Sequence, residues 1–367
     1  LWLRTTARAL VVNVAVPKTS AIITLAAIVV IVAGMKAASA LIVPFMIATF
    51  LALITVRPML WLQAKRVPTV LAALLIVLTI LAALTVVGVV VGRSLAAFTA
   101  ALPAYQEQLQ GIMDGAVAFL AQYTDSDQSV ERVRDLINPG WAMGLAATLL
   151  NAVRDIMTNT LLITFTVIFI LLEASSFPTK IDAAFGESAR SLTGARQFLD
   201  DLGRYLGIKT LVSIVTGLLV WLLTWRLGLD FPRLWGMLAF LLNYIPTLGS
   251  IIAAVPAVLL ALVQLGVPEA TATAVGFMAI NIAFGNFIEP RLMGYGVGIS
   301  PLIVFVGLIF WGWVFGPVGM LLSVPLSMTL KLALENDERT RWVAVFIGSQ
   351  RDAQHTLAIE DEEKAAN

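Results

Sequence analysis

The sequence predicts an all-α, polytopic integral membrane protein with about eight membrane segments. Two of these segments are broken by proline and glycine, as broken helices or hairpins, and amphipathic interfacial helices accompany them. Three observations predict this. The 367 residues are 59% hydrophobic and only 13% charged, with a mean hydropathy of +0.91, whereas soluble domains carry about 25% charge. Eight charge-free stretches come within a residue of, or exceed, the roughly 17–25 residues that a bilayer of about 30 Å demands of a spanning helix. Lysine and arginine in the short loops alternate along the chain as the positive-inside rule requires.

In order, the first five charge-free stretches are Thr19–Met35, Ala37–Val56, Thr69–Gly92, Ile156–Leu172 and Thr210–Trp225, each fit for one helix. Leu234–Pro268 and Leu292–Leu330 are too long for one simple span and too short for two, and Ala270–Ile288 between them fits one. Arg4, Arg8 and Lys18 before an apolar run, followed by Ala38-Ser39-Ala40, resemble a secretory signal with its cleavage site. Lys36 interrupts that pattern and another full span follows, so the first helix is expected to be retained. Residues 1–19 hold three basic residues and no acid. The loop 57–68 holds Arg57, Lys65 and Arg66 and no acid, so both are expected in the cytoplasm. Residues 93–155 carry four basic and seven acidic side chains, as an outside segment would.

The expected organisation is a three-span region (1–92), an extracytoplasmic amphipathic helical segment (93–155), a C-terminal transport region (156–335) with a cytoplasmic interfacial helix (173–207), and a charged cytoplasmic tail (336–367). Within 94–137, Pro103, Gly111 and Asp125-Ser126-Asp127 are expected to break two or three surface helices. Glu173 should end the fourth span at the interface, and Glu360–Glu363 should be a solvated end.

Composition also excludes function classes. A net charge of +1 suggests no nucleic-acid partner. The absence of cysteine removes disulfides, thiolate metal sites and thiol nucleophiles, and the single histidine, His355, lies in the tail. GRYLGIKT (Gly203–Thr210) lacks the adjacent Gly-Lys of a phosphate-binding loop. No zinc-protease or nucleophile-elbow motif is present. We therefore expect no enzyme activity, no cofactor, no metal and no ATPase subunit.

The two long runs are alike in outline. NYIPTLGSIIAAVP (Asn243–Pro256) carries Pro246, Gly249 and Pro256, and WVFGPVGMLLSVP (Trp313–Pro325) carries Gly316, Pro317, Gly319 and Pro325. Proline removes a backbone donor and clashes with the preceding turn, while glycine permits turns that other residues resist. Non-helical backbone survives in a membrane only where protein or water covers it, so paired interruptions point to a transporter's substrate site. A proline-kinked structural helix is the bland alternative. A straight rod of about 35 residues would be about 50 Å long, which favours hairpins, and these would then enter from opposite faces.

Polar residues at membrane depth are few: Asn243, Asn281, Asn286 and Glu289, with Arg291 close behind. Ionisable groups there are functional candidates by default. Glu289 and Arg291 flank Pro290 and could equally form a structural pair at a helix end. The asparagines donate and accept without charge, which suits a hydroxylated, neutral solute, and they could equally bridge helices.

LLNYIPTLGSIIAAVPAVLLAL (Leu241–Leu262), NFIEPRLMG (Asn286–Gly294) and GISPLIVFVGLIFWGWVFGPVGMLLSVPLSMTLKL (Gly298–Leu332) resemble signature segments of the autoinducer-2 exporter family, the PerM-type permeases. PFMIATFLALITVRP (Pro44–Pro58) extends the resemblance towards the N-terminus. The resemblance implies a bacterial inner-membrane protein with both termini cytoplasmic that assembles as a homo-oligomer, a pentamer, and exports small signalling solutes. Some relatives are instead described as sodium(lithium)/proton antiporters, a chemistry for which only Glu289 offers a titratable carboxylate at depth.

Overall fold

The computed structural model describes residues 18–121, 158–185, 193–246, 248–293, 298–335 and 340–349. Among these the chain is helical, with a single isolated antiparallel bridge between Ile299 and Gly348. Five helical stretches are long and apolar enough to cross a membrane: Ser39–Ala64, Thr69–Phe98, Gln197–Arg226, Val267–Met293 and Pro301–Leu321. Large apolar side chains lie bare along them, as on Leu302, which is 67% exposed. Such surfaces suit acyl chains and not water.

Helix α1 (Lys18–Ala37) and α2 (Ser39–Ala64) are joined by Ala38 alone. Its backbone stays near helical (φ −89°, ψ 9°) and its amide still donates to Gly34 O at 2.9 Å, so the joint is a bend in place of the loop expected between two spans. Inside α2, Thr49 and Thr55 turn their hydroxyls back onto carbonyls one turn earlier, which satisfies them without water. Ala48 and Ala52 let α2 press closely against Ile163, Val167 and Leu171 of α4 (Thr160–Phe185).

Helix α3 runs unbroken from Thr69 to Ala121. Pro103 and Gly111 do not interrupt it, contrary to the sequence expectation, and no element boundary falls at 92/93. Proline at an exposed turn of a long helix leaves the later turns intact. The other expected breaks in that segment lie outside the described residues. The charged stretch 173–207 also differs from expectation. Helix α4 continues past Glu173, which pairs on the surface with Lys180 at 2.6 Å, and α5 (Thr193–Arg226) joins its polar N-terminal turns to the following span in one helix.

The C-terminal half packs around α5. Helix α6 (Pro232–Leu242) lies against it so closely that a Cβ on Gly217 would fall 2.7 Å from Gly236 O. Helix α7 (Leu248–Gln264) follows after a short break, then α8 (Val267–Asn281), a π-helical stretch (Ile282–Ile288) and α9 (Glu289–Met293), which form one continuous crossing. Helices α10 (Pro301–Leu321), α11 (Ser323–Glu335) and α12 (Arg341–Ile347) complete the described chain. Part of the expected charged tail is therefore ordered helix. Residues 350–367 lie outside the description.

Both long runs double back. At the mouth of the first, Gln264 at the end of α7 accepts from Asp230 N at 2.9 Å and donates to Gly228 O, so the two ends of the α6–α7 pair sit side by side. In the second, Ser327 of α11 lies against Gly307 and accepts from Trp311 Nε1 at 3.2 Å, and Lys331 reaches Gly298 O at 2.9 Å. The first hairpin opens at the C-terminal end of α5. The second opens beside Leu202 and Leu206, near the N-terminal end of that helix. The hairpins therefore enter from opposite ends of α5, as expected of a folded-back pair. Replacing Trp311 with Phe should cost about 1 kcal/mol through the lost hydrogen bond, read as a lowered thermal midpoint in detergent.

The mouth of the first hairpin is clamped from outside its own sequence. Tyr105 of α3 donates to Asp230 Oδ2 at 2.5 Å, Trp235 Nε1 donates to Asp230 O at 2.8 Å, and Phe98 packs edge-on against Phe231 and Trp235. Partial burial first, then the Asp230 hydrogen bond and charge, push the Tyr105 phenol up to about 12 from its ordinary 10.0. A raised folded-state value means that the clamp is complete below pH 10 and is lost as pH climbs through 12. Tyr105→Phe should remove that alkaline dependence of local hydrogen exchange around Asp230.

Candidate functional site

The tip of the first hairpin, residues 243–246, ends against the middle of α5. Asn243 Nδ2 donates to Ser213 Oγ at 2.9 Å, and Tyr244 Oη donates to Thr210 Oγ1 at 2.8 Å. One turn earlier on α5, Lys209 Nζ meets Glu289 Oε1 at 2.6 Å, with the two side chains only 6% and 16% exposed. Lys209, Ser213 and Thr216 stand at helical spacings of four and three, which places them on one face of α5. Thr216 Oγ1 is buried and makes no hydrogen bond among the described residues. The apolar stretch Gln197–Arg226 centres near this stripe, so the polar groups gather around the middle of that helix.

The local chemistry explains each position. Asn243 ends α6, and Pro246 has no amide to extend the helix. Gly249 then packs onto Leu242, where an added Cβ would sit 1.8 Å from Leu242 O. Only hydrogen fits there, and the tight approach closes the turn. The second hairpin repeats the device. Gly319 presses on Trp311 O, where a Cβ would sit 2.0 Å away, and Gly316 holds φ 67°, ψ −150°, a conformation that is essentially glycine's alone. Glu289 owes its place to the π-helical stretch, since its amide closes onto Phe284 O five residues back. Such widened turns are frequent at functional sites.

The structure brings together some of the residues picked from the sequence and separates others. Asn243 and Glu289 meet α5 within one turn of each other, and Pro246, Gly249, Gly316, Pro317 and Gly319 form the two hairpin turns. Pro256 lies buried within α7 and breaks nothing. Pro325 stands in the first turn of α11, where a missing amide costs no internal bond. Asn281 is half-buried on α8, with its Oδ1 close to Gly285. Asn286 and Arg291 are exposed. The structural pairing considered for Glu289 with Arg291 is therefore corrected. The carboxylate pairs across to Lys209 on α5, where both side chains are largely withdrawn from solvent.

The cluster also contains Lys209, Thr210, Ser213 and Tyr244, which the sequence pattern does not single out. For Lys209 the signal was available, as a lone lysine between Tyr205 and a long apolar run.

A model of the AI-2E family transporters matches residues 25–338, which contain both hairpins and the whole polar stripe. The chain belongs to the AI-2E transporter family. It is 38% identical over 327 residues to the AI-2 transport protein TqsA of Escherichia coli (strain K12), covering 89% of this chain and 94% of that one. It is 33% identical over 327 residues to YhhT of the same organism, a protein named only as a candidate for transport, covering 89% and 93%. A similarly named protein of Haemophilus influenzae is 35% identical over 334 residues, covering 89% and 96%. As an AI-2E family member the chain is a multi-pass membrane transporter. Its family is one of transporters, and the site is made of hydrogen-bonding groups and one ion pair.

Proposed function

We propose that this transporter is a secondary exporter of a small, polar, uncharged metabolite of the AI-2 type across the bacterial inner membrane, with both termini cytoplasmic. The reading rests above all on one observation: the tip of the first hairpin meets the middle of the apolar helix α5, where Asn243 donates to Ser213 at 2.9 Å. Non-helical backbone and amide side chains inside an apolar layer persist only where protein covers them or water reaches them, and a hairpin tip that can move against α5 supplies both in turn. Movement of the hairpins against α5 would expose Asn243, Ser213 and Tyr244 first to one face and then to the other. Subunits would associate as a homo-oligomer, a pentamer by the family resemblance.

Sodium(lithium)/proton antiport is the weaker reading. It needs a carboxylate free to exchange protons for cations, and Glu289 is engaged by Lys209. The test is efflux of labelled AI-2 from proteoliposomes, with a sodium-driven internal pH change followed in the same preparation. AI-2 efflux without the pH change supports export, and the reverse result would replace it with antiport. Asn243→Ala should slow AI-2 efflux about tenfold, the equivalent of one lost hydrogen bond to a desolvated group.

A further inference from the structure

We infer that the Lys209–Glu289 pair sets the charge selectivity of the transport site: it keeps the site neutral, and breaking it from the acidic side converts the site to one for anions. The inference rests on the exporter reading for the location of the solute, and it adds Lys209 as a specificity-determining residue. Three observations carry it. Both charges are withdrawn from solvent, with side-chain exposures of 6% and 16%. They sit one helical turn from Ser213, which holds Asn243 of the hairpin tip, so a solute touching that amide lies within a few ångströms of the pair. The neighbouring polar side chains among the described residues, Thr210, Ser213, Thr216, Asn243 and Tyr244, are uncharged types, and the ion pair recorded for Glu289 is the one with Lys209.

The electrostatics give the direction. A buried pair carries no net charge, so a charged solute beside it would lose its hydration without a full opposite charge to compensate. A hydroxylated neutral molecule loses only hydrogen bonds, which the stripe replaces. If Glu289 becomes glutamine, the amide still accepts from Lys209 Nζ, yet a full positive charge remains. At about 7 Å and an effective dielectric constant near 20, that charge favours a solute carboxylate on the order of tens of fold. Retaining a buried pair where apolar residues would often be no less stable is intelligible if the pair serves selectivity.

The probes are ribitol and ribonate, five-carbon hydroxylated compounds of like size that differ by one carboxylate. Labelled ribonate binding is measured by equilibrium dialysis on the purified full-length protein, and both compounds are used as competitors of AI-2 efflux from proteoliposomes. Wild type should bind ribonate weakly and be inhibited by ribitol at least as well. Glu289→Gln should bind ribonate tens of fold more tightly, and the double variant Lys209→Met/Glu289→Gln should lose that gain. If Glu289→Gln is not recovered folded, Lys209→Gln gives the mirror test, with glucosamine, a hydroxylated cation, as the favoured ligand. A folded single variant with an unchanged preference for neutral over charged probe would overturn the inference and leave the pair as a helix tie. Because dialysis does not depend on AI-2, failure of wild type to carry AI-2 would count against the exporter reading alone.

Discussion

A single methyl group at position 249 is expected to abolish the folded first hairpin. Gly249→Ala places a Cβ 1.8 Å from the carbonyl oxygen of Leu242 and 2.7 Å from its carbon. The obstacle is backbone and cannot rotate away as a side-chain tip would. Overpacking a core usually costs about 1–3 kcal/mol and occasionally more, and a clash with main chain at the close of a turn belongs above that range. The arms must part, which withdraws Asn243 from Ser213 and Tyr244 from Thr210. Transport should fall to background, and the thermal midpoint in detergent should drop by more than for any control. Gly319→Ala, with its Cβ 2.0 Å from Trp311 O, should do the same to the second hairpin. Gly34→Ala and Gly92→Ala meet nothing within 4 Å and should be neutral, or slightly stabilising through helix propensity. If Gly249→Ala transported and melted like wild type, the close packing at the turn would be disproved.

The equivalence of Gly249 and Gly319 explains why the two runs looked alike in sequence. Each turn sets a glycine directly against a carbonyl seven or eight residues earlier, beneath a proline that cannot continue the first arm. Proline and glycine are legible because their effect is local: it follows from a missing amide or a missing Cβ whatever surrounds them. That is why the hairpins, and their entry from opposite ends, could be anticipated. Pro256 and Pro325 carried the same letters without the effect. A proline inside a helix breaks it only if the lost bond and ring clash are not absorbed, and in the first turn of α11 there is nothing to absorb.

Lys209 shows where sequence reasoning stopped. A charge inside a membrane helix reads in sequence as the helix's boundary, which places the start of this span at Thr210, whereas the helix begins at Thr193 and carries Lys209 within it. Glu289 suffered the complementary error. Its nearest opposite charge in sequence, Arg291, is two residues away, yet residues two apart on a helix do not face each other. Its partner lies 80 residues earlier. Pairing across helices depends on rotation about each axis, and here the π-helical stretch before Glu289 resets that rotation. No pattern of hydrophobicity encodes such a step. Asn286, inside the same stretch, is exposed.

Lys209→Met is expected to be the most damaging change that adds no bulk. It leaves the Glu289 carboxylate 16% exposed with no cation beside it, and removing one member of a buried pair costs about 3–5 kcal/mol, because the remaining charge is stranded away from water. The double change Lys209→Met/Glu289→Met removes both charges at similar volume and should recover most of that loss, since well-packed apolar replacements of buried pairs are often neutral or stabilising by about 1–4 kcal/mol. A double-mutant cycle on thermal or chemical unfolding in detergent therefore separates two quantities that either single variant would confound: the penalty of an orphaned charge and the net worth of the pair. A large coupling energy with a stable double variant would mean that stability alone does not account for the pair. If the double variant were instead as unstable as Lys209→Met, the helix contact itself would depend on the ions, and α9 would be held to α5 by charge and not by packing.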